Sequence, residues 1–200
     1  MKLGLLADIH ESNELLRVAL DQFRAEGVDQ VVVLGDLFEM GERIEETCRL
    51  LDEVGAVGVW GNHDFGICCA PEERTRQKYP DLVLNFMASL RPCLEVDECL
   101  FTHVEPWLDP DDISDLWYFD GPPDTPEKAA RSFEAVPNRV MFVGHVHRWL
   151  IATPGVILGW AGEEPIRLDG DTRYLILVAA VCDGKFAIFD TDTLELIPFG

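Results

Sequence analysis

Over the first sixty residues the hydrophobic period changes four times. A short apolar run from Leu3 to Ala7 gives way to a helical pattern from Ser12 to Ala25. Val31 to Leu34 follows, then a helical stretch from Glu42 to Val54, then a second short run from Val57 to Trp60. Such β-α-β-α-β alternation requires parallel strands joined by right-handed crossovers, because the helix returns the chain to the edge from which the next strand must start. Ser12 is placed to cap the first helix and Gly27 to end it.

Residues 71 to 90 read as helix after Pro71. Leu94 to Val96 and Cys99 to Thr102 flank the polar Asp97-Glu98 and form a hairpin pattern. A loop rich in Pro, Asp and aromatic residues runs from Val104 to Asp124, and a helix begins at Thr125-Pro126. Short strands then dominate: Val140 to Val143, Trp149 to Ala152, Val156 to Leu158, Tyr174 to Val181, Phe186 to Asp190 and Leu194 to Pro198. The expected fold is α/β, with two mixed β-sheets packed face to face and helices outside, a four-layer αββα sandwich. The 200 residues suffice for one such domain, 1–200.

Charge narrows the partners. Sixteen Lys and Arg against 37 Asp and Glu leave a formal charge of −21, spread along the whole chain. Long nucleic acids and anionic membranes are bound through basic faces, and the one cationic run, Arg74-Thr75-Arg76-Gln77-Lys78, follows two glutamates. Neither partner is expected. No apolar run approaches the roughly 20 residues of a membrane span, and Asp8 interrupts the amino-terminal apolar stretch where a signal peptide would continue. A cytoplasmic location follows as the expectation. The six cysteines show no C-x-x-C pair or regular spacing, so a disulfide framework is not expected. The adjacent Cys68-Cys69 reads as packing before it reads as a redox or soft-metal element.

The chain has five histidines, and each lies just past an apolar run: Asp8-Ile9-His10, Gly61-Asn62-His63-Asp64, Thr102-His103 and Gly144-His145-Val146-His147. Another strand ends in Gly35-Asp36. In open α/β sheets, ligands sit outside the carboxyl ends of the strands, so these ends can converge on one crevice. Residues i and i+2 of an extended segment point the same way, so Asp8 with His10, and His145 with His147, can each present two donors to one point. Glycines before Asp36, Asn62 and His145 allow sharp turns at the sheet edge. Taken singly, Asp-x-His is equally a helix cap beside a surface imidazole, and Gly-Asp or Gly-Asn an ordinary turn. Taken together, Asp8, His10, Asp36, Asn62, His103, His145 and His147 offer more N and O donors than one ion accepts. Two ions sharing a carboxylate, about 3.5–4 Å apart, use them better and suit in-line attack on a phosphorus ester.

This set of motifs, spread over residues 8 to 147, resembles the calcineurin-like metallophosphoesterase superfamily. The resemblance implies one metal on Asp8, His10, Asp36 and His147, and a second on Asp36, Asn62, His103 and His145, with Asp36 bridging. It implies hydrolysis of a small phosphodiester or phosphomonoester by in-line attack of a metal-bridging hydroxide. His63 would protonate the leaving group or stabilise the transition state, and Asp64 would hold its imidazole in the right tautomer. The stretch Gly35 to Gly41 carries Met40 where serine/threonine phosphatases of the superfamily have arginine. The chain therefore looks more like the small prokaryotic phosphodiesterase branch. The expected cofactors are two divalent ions, manganese first, with Fe, Ni, Co, Zn or Mg also suited to these donors.

Within the loop from Val104 to Asp124, Trp107, Trp117, Tyr118 and Phe119 are read first as core packing and second as a stacking surface for an aromatic substrate group. Arg148 is the nearest cation for a phosphate oxygen. A protein-binding scaffold with little catalysis is the rival reading, and retention of His63 with the full donor set argues against it. The oligomeric state is not legible from these features.

Overall fold

The computed structural model describes residues 1–200. In chain order the elements are β1 (Lys2–Leu6), α1 (Asn13–Glu26), β2 (Gln30–Leu34), α2 (Ile44–Glu53), β3 (Val57–Val59), α3 (Phe65–Cys68), α4 (Glu73–Lys78) and α5 (Asp81–Ser89). Then follow β4 (Cys93–Val96), β5 (Cys99–Thr102), α6 (Ile113–Leu116), α7 (Pro126–Ala135), β6 (Val140–Val143), β7 (Leu150–Thr153) and β8 (Val156–Ile157). The chain closes with β9 (Ile166–Arg167), β10 (Tyr174–Leu177), β11 (Phe186–Asp190) and β12 (Glu195–Phe199). One sheet has the order β3-β2-β1-β11-β12-β9 and the other β4-β5-β6-β10-β7-β8. β1, β2 and β3 run parallel, as the alternating period requires, and β11 lies antiparallel to β1.

Alternation along the strands divides the apolar residues between two interfaces. Leu3 and Leu5 of β1, Val32 and Leu34 of β2, and Phe189 of β11 point to the facing sheet, where they meet Phe101, Phe142 and Ile176. Phe142 stacks on Phe101 with ring centroids 5.3 Å apart and meets Phe189 across the interface at 5.1 Å. The intervening residues Leu6, Val31 and Val33 face outward under Leu16, Leu20, Phe23 and Leu51 of the flanking helices. Ala129 of α7 covers Met141, Leu175 and Leu177 on the outer face of the second sheet. Each buried Leu or Phe contributes about 1.5–3 kcal/mol. The result is the expected four-layer sandwich.

Local departures have local causes. The helix expected over 71 to 90 is two, because Pro80 lacks an amide hydrogen and forces Tyr79 into extended geometry; α5 then restarts at Asp81. The run from Tyr174 leaves the sheet after Leu177, and Val181–Asp183 form a 3-10 turn. Within the long loop, Asp112 accepts the Ser114 amide at 2.8 Å and starts the single turn of α6. Gly27 ends α1 at φ 67° as predicted, whereas Ser12 stands at the N-cap without a side-chain bond. All six cysteines are free. Cys48 and Cys68 lie against the core, and burial pushes both thiols up, Cys48 to about 12. No helix is long and apolar enough to cross a membrane.

Candidate metal centre

The ends of β1, β2, β3, β5 and β6 open onto one crevice, and all the predicted donors lie in it. The chain turns abruptly there. Of ten non-glycine residues with positive φ, six belong to this crevice: Asp8, His10, Glu11, Asp36, His145 and His147, at φ 45° to 66°. A left-handed non-glycine residue costs about 1–2 kcal/mol, so this much strain in one place implies that the surroundings dictate the backbone there. The turning falls on these residues themselves more than on the glycines expected to provide it. Gly35 does turn, at φ 86°. Gly61 and Gly144 are needed instead for close approach: a Cβ on Gly61 would strike Asp36 Oδ1, and one on Gly144 would lie 2.7 Å from the Leu34 carbonyl oxygen.

The donors fall into two groups, and a third, His10, Asp36 and His63, links them. Asp8, His10 and His147 bring ligand atoms within 4.8 Å of one another, as do Asp36, His103 and His145. Asp36 Oδ2 lies 3.4 Å from His103 Nε2 and 3.7 Å from His10 Nε2, between the groups. Asn62 Oδ1 stands 2.9 Å from His103 Nε2 and 3.1 Å from His145 Nδ1. The expectation that His145 and His147 serve one point is corrected: left-handed turns at both send His145 to the Asp36 group and His147 to the Asp8 group.

The ring orientations suit ligation. His103 Nδ1 donates to the Leu34 carbonyl at 2.7 Å, which turns Nε2 toward Asp36 and Asn62. His147 Nε2 lies 3.4 Å from Asp8 Oδ1, with Cys182 Sγ 3.8 Å behind it at Nδ1. Asp8 Oδ2 is fully buried with no hydrogen-bond partner. A buried carboxylate oxygen without a partner, beside imidazoles, fits a divalent cation. The all-N/O donor set fits first-row divalent ions.

Burial pushes His103 down, but the charge and hydrogen bond of Asp36 override it and bring the ring up to about 9. Burial likewise pushes Asp36 up, and His103 more than reverses this, so the carboxylate lies well below its ordinary range. The bond to Asp8, with Cys182 behind, raises His147 to about 10. Burial and the charge of His103 lower His145 to about 4.

Asp64 is placed differently from expectation. It does not hold the His63 ring: Oδ1 accepts the amides of Leu37 and Phe38 and Oδ2 that of Gly61, each at 3.0 Å. It ties the loop after β2 to the loop after β3. Burial and the charge of Asp36 raise it to about 7. The carboxylate facing His63 is Glu39, whose Oε2 lies 3.9 Å from His63 Nδ1 and 3.0 Å from His10 Nδ1. Glu11, also missed in the sequence, accepts the amides of Glu39 and Arg43 at 3.0 and 2.7 Å and so fixes the segment bearing Glu39. An acid directly after Asp-x-His and another inside the Gly-Asp loop were the available signals.

The loop aromatics also depart from the packing expectation. Trp117 and Phe119 are 56% and 59% exposed. Trp117 lies 5.2 Å from the His63 ring and Phe119 6.0 Å from the His145 ring. Trp107 packs against the core beneath the Arg131 guanidinium, and the half-exposed Tyr118 meets it edge to face at 5.5 Å. Arg148 pairs with Asp124 at 3.7 Å.

Comparison with known proteins accords with this geometry. The family profile of the calcineurin-like phosphoesterase superfamily domain matches residues 1–181. An uncharacterised protein of Methanocaldococcus jannaschii is 24% identical, over 97% of this chain and 84% of its own length. The crystal structure of a metallophosphoesterase from Sphaerobacter thermophilus superposes with a TM-score of 0.79 at 22% identity, covering 99% of this chain and 86% of that one. An archaeal phosphodiesterase superposes at 0.57 and 16% identity, covering 100% and 99%.

Proposed function

The chain belongs to the calcineurin-like phosphoesterase superfamily, a family of metal-dependent phosphoester hydrolases, and from that premise we propose that it is a dinuclear enzyme acting on a small phosphodiester. The observation that carries this reading is the position of Asp36, whose Oδ2 faces His103 of one donor group and His10 of the other. Asp8, His10, Asp36 and His147 would hold one divalent ion, and Asp36, Asn62, His103 and His145 the other. Bound there, the ions supply a nucleophile from water near neutral pH and neutralise charge growing on the phosphoryl oxygens.

The remaining roles fall to the chain itself. His63, whose ring nitrogen also lies within ligand reach of His10 and Asp36, is left outside both four-donor sets in this reading and passes a proton to the leaving oxygen. Glu39 holds the two neighbouring imidazoles in line, and Asp64 holds the loop that carries His63. A small substrate suits a chain of charge −21, since dispersed surface acids are screened beyond roughly 10 Å while the ions act at the site. The test is turnover of bis-p-nitrophenyl phosphate and p-nitrophenyl phosphate by protein loaded first with Mn²⁺. Faster diester hydrolysis is expected, and loss of activity on chelation. No turnover with two ions bound would return the protein to the scaffold reading.

A further inference from the structure

The one cationic run of the sequence takes no part in the centre described above, yet the fold brings it there. α4 carries Arg74, Arg76 and Lys78 in a chain where acids outnumber bases 37 to 16. Between α4 and the crevice runs a groove of about 410 Å³, lined by Phe38, His63, Ile67, Arg74, Lys78 and Tyr79 among others, with no carboxylate in its wall. Its inner end is His63, which has a ring nitrogen within 4.8 Å of donor atoms on His10 and Asp36. Arg74 and Lys78 line the same groove.

These cations are available. Lys78 forms no ion pair, and its Nζ stands 4.7 Å from the Tyr79 ring centroid. Arg74 is held only by Glu72, at 2.8 Å between side chains that are 86% and 70% exposed. Such a pair exchanges readily for a better anion. Phe38 and Tyr79 meet edge to face at 6.3 Å and line the groove beside Arg74 and Lys78.

We infer that the groove receives a phosphate carried on the leaving group, so that the substrate is a phosphodiester whose leaving alcohol bears a second phosphate. The inference rests on His63 marking the leaving-group side, as proposed above. Hydrolysis then forms a P–O bond from a water oxygen, breaks the ester P–O bond, and moves the His63 proton to the alcohol oxygen. The proton shed by the water passes to solvent, from which His63 is reprotonated. The second phosphate stays intact and is bound by charge-assisted contacts with Lys78 and Arg74.

The test is calorimetric titration of the Mn²⁺-loaded protein with two probes, adenosine 5′-monophosphate and adenosine 3′,5′-bisphosphate. The bisphosphate should bind at least about tenfold more tightly, and the advantage should shrink in about 0.5 M salt. Lys78→Glu should abolish it. Arg76→Glu makes the same charge change on α4, but Arg76 bonds the Pro71 carbonyl at 3.0 Å away from the groove wall, and the advantage should survive there. Equal binding of the probes, persistence of the advantage in Lys78→Glu, or equal loss in Arg76→Glu would overturn the assignment. Failure of the hydrolase reading shows separately, as no turnover of bis-p-nitrophenyl phosphate while the binding preference remains.

Discussion

Asp8 Oδ1 accepts the backbone amide of His145 at 3.1 Å, joining the loop beyond β1 of one sheet to the loop beyond β6 of the other. One oxygen of Asp8 is thus committed to holding the two sheets in register, and the other, Oδ2, is buried without a partner. The same carboxylate positions His145 and offers itself to a cation.

Asp8→Asn separates these duties. An asparagine keeps an acceptor for the His145 amide but aims a donor or a weak ligand at the place of Oδ2. Metal content measured on the purified protein should fall from about two ions per chain to about one, with turnover reduced at least about a hundredfold. The metal-free unfolding midpoint should fall at neutral pH, because the amide bond survives but the charge partner that raises His147 is lost. Two ions retained in this variant would remove Asp8 from the ligand set.

His63 and Asp64 are neighbours with opposite expectations. His63→Ala should keep both ions and lower kcat by about 10²–10⁴, the range for loss of a general acid. Asp64→Asn leaves one of three buried amides facing a donor, which costs about 1–3 kcal/mol. Denaturant unfolding should detect it in the metal-free protein, where His63→Ala should be silent. Reversal of this pattern would restore Asp64 to the chemistry.

The pH dependence of metal-free stability follows from the histidines. The folded pKa values of His103, about 9, and His147, about 10, lie above the ordinary 6.5. The stability they add is fully present below about 6.5 and is lost as pH rises through those values. Asp64, raised from 3.8 to about 7, loses stability as pH rises over a lower window, where His145, lowered to about 4, acts in the opposite sense. The clear slope therefore lies between about pH 7 and 10, downward. Metal loading should flatten it, because the ions replace the two protons. Titration of Mn²⁺ at pH 7 in buffers of different ionisation enthalpy should report release of about two protons per chain.

The strand ends were legible because each apolar run is short and stops at a residue with donor chemistry, so Leu34-Gly35-Asp36 and Val143-Gly144-His145 announce both the strand and its terminus. What these residues do to the backbone was not. Side-chain alternation presumes extended geometry, and at His145 and His147 the chain is left-handed, which no local pattern signals. Asp64 was misjudged for a related reason. Adjacency to His63 in sequence suggested contact, whereas the turn after Asn62 points the carboxylate inward to amides of a loop 26 to 27 residues earlier. The exposure of Trp117 escaped because burial of an aromatic is decided by what the rest of the fold leaves uncovered, and α6 gives too little surface to cover it.

Trp117 makes the last prediction. Its ring is more than half exposed and lies 5.2 Å from the His63 ring, so an aromatic leaving group emerging past His63 meets an indole face. Stacking of a base or aryl ring on such a face is worth about 1–3 kcal/mol. Trp117→Ala should therefore raise KM for bis-p-nitrophenyl phosphate about five- to a hundredfold, and do so less for a dialkyl phosphodiester of equal charge. Trp117→Phe should recover most of the difference. Because the side chain is exposed, the unfolding free energy should stay within about 0.5 kcal/mol of the parent. Equal losses on aryl and alkyl substrates would mean that Trp117 serves only to hold the His63 ring.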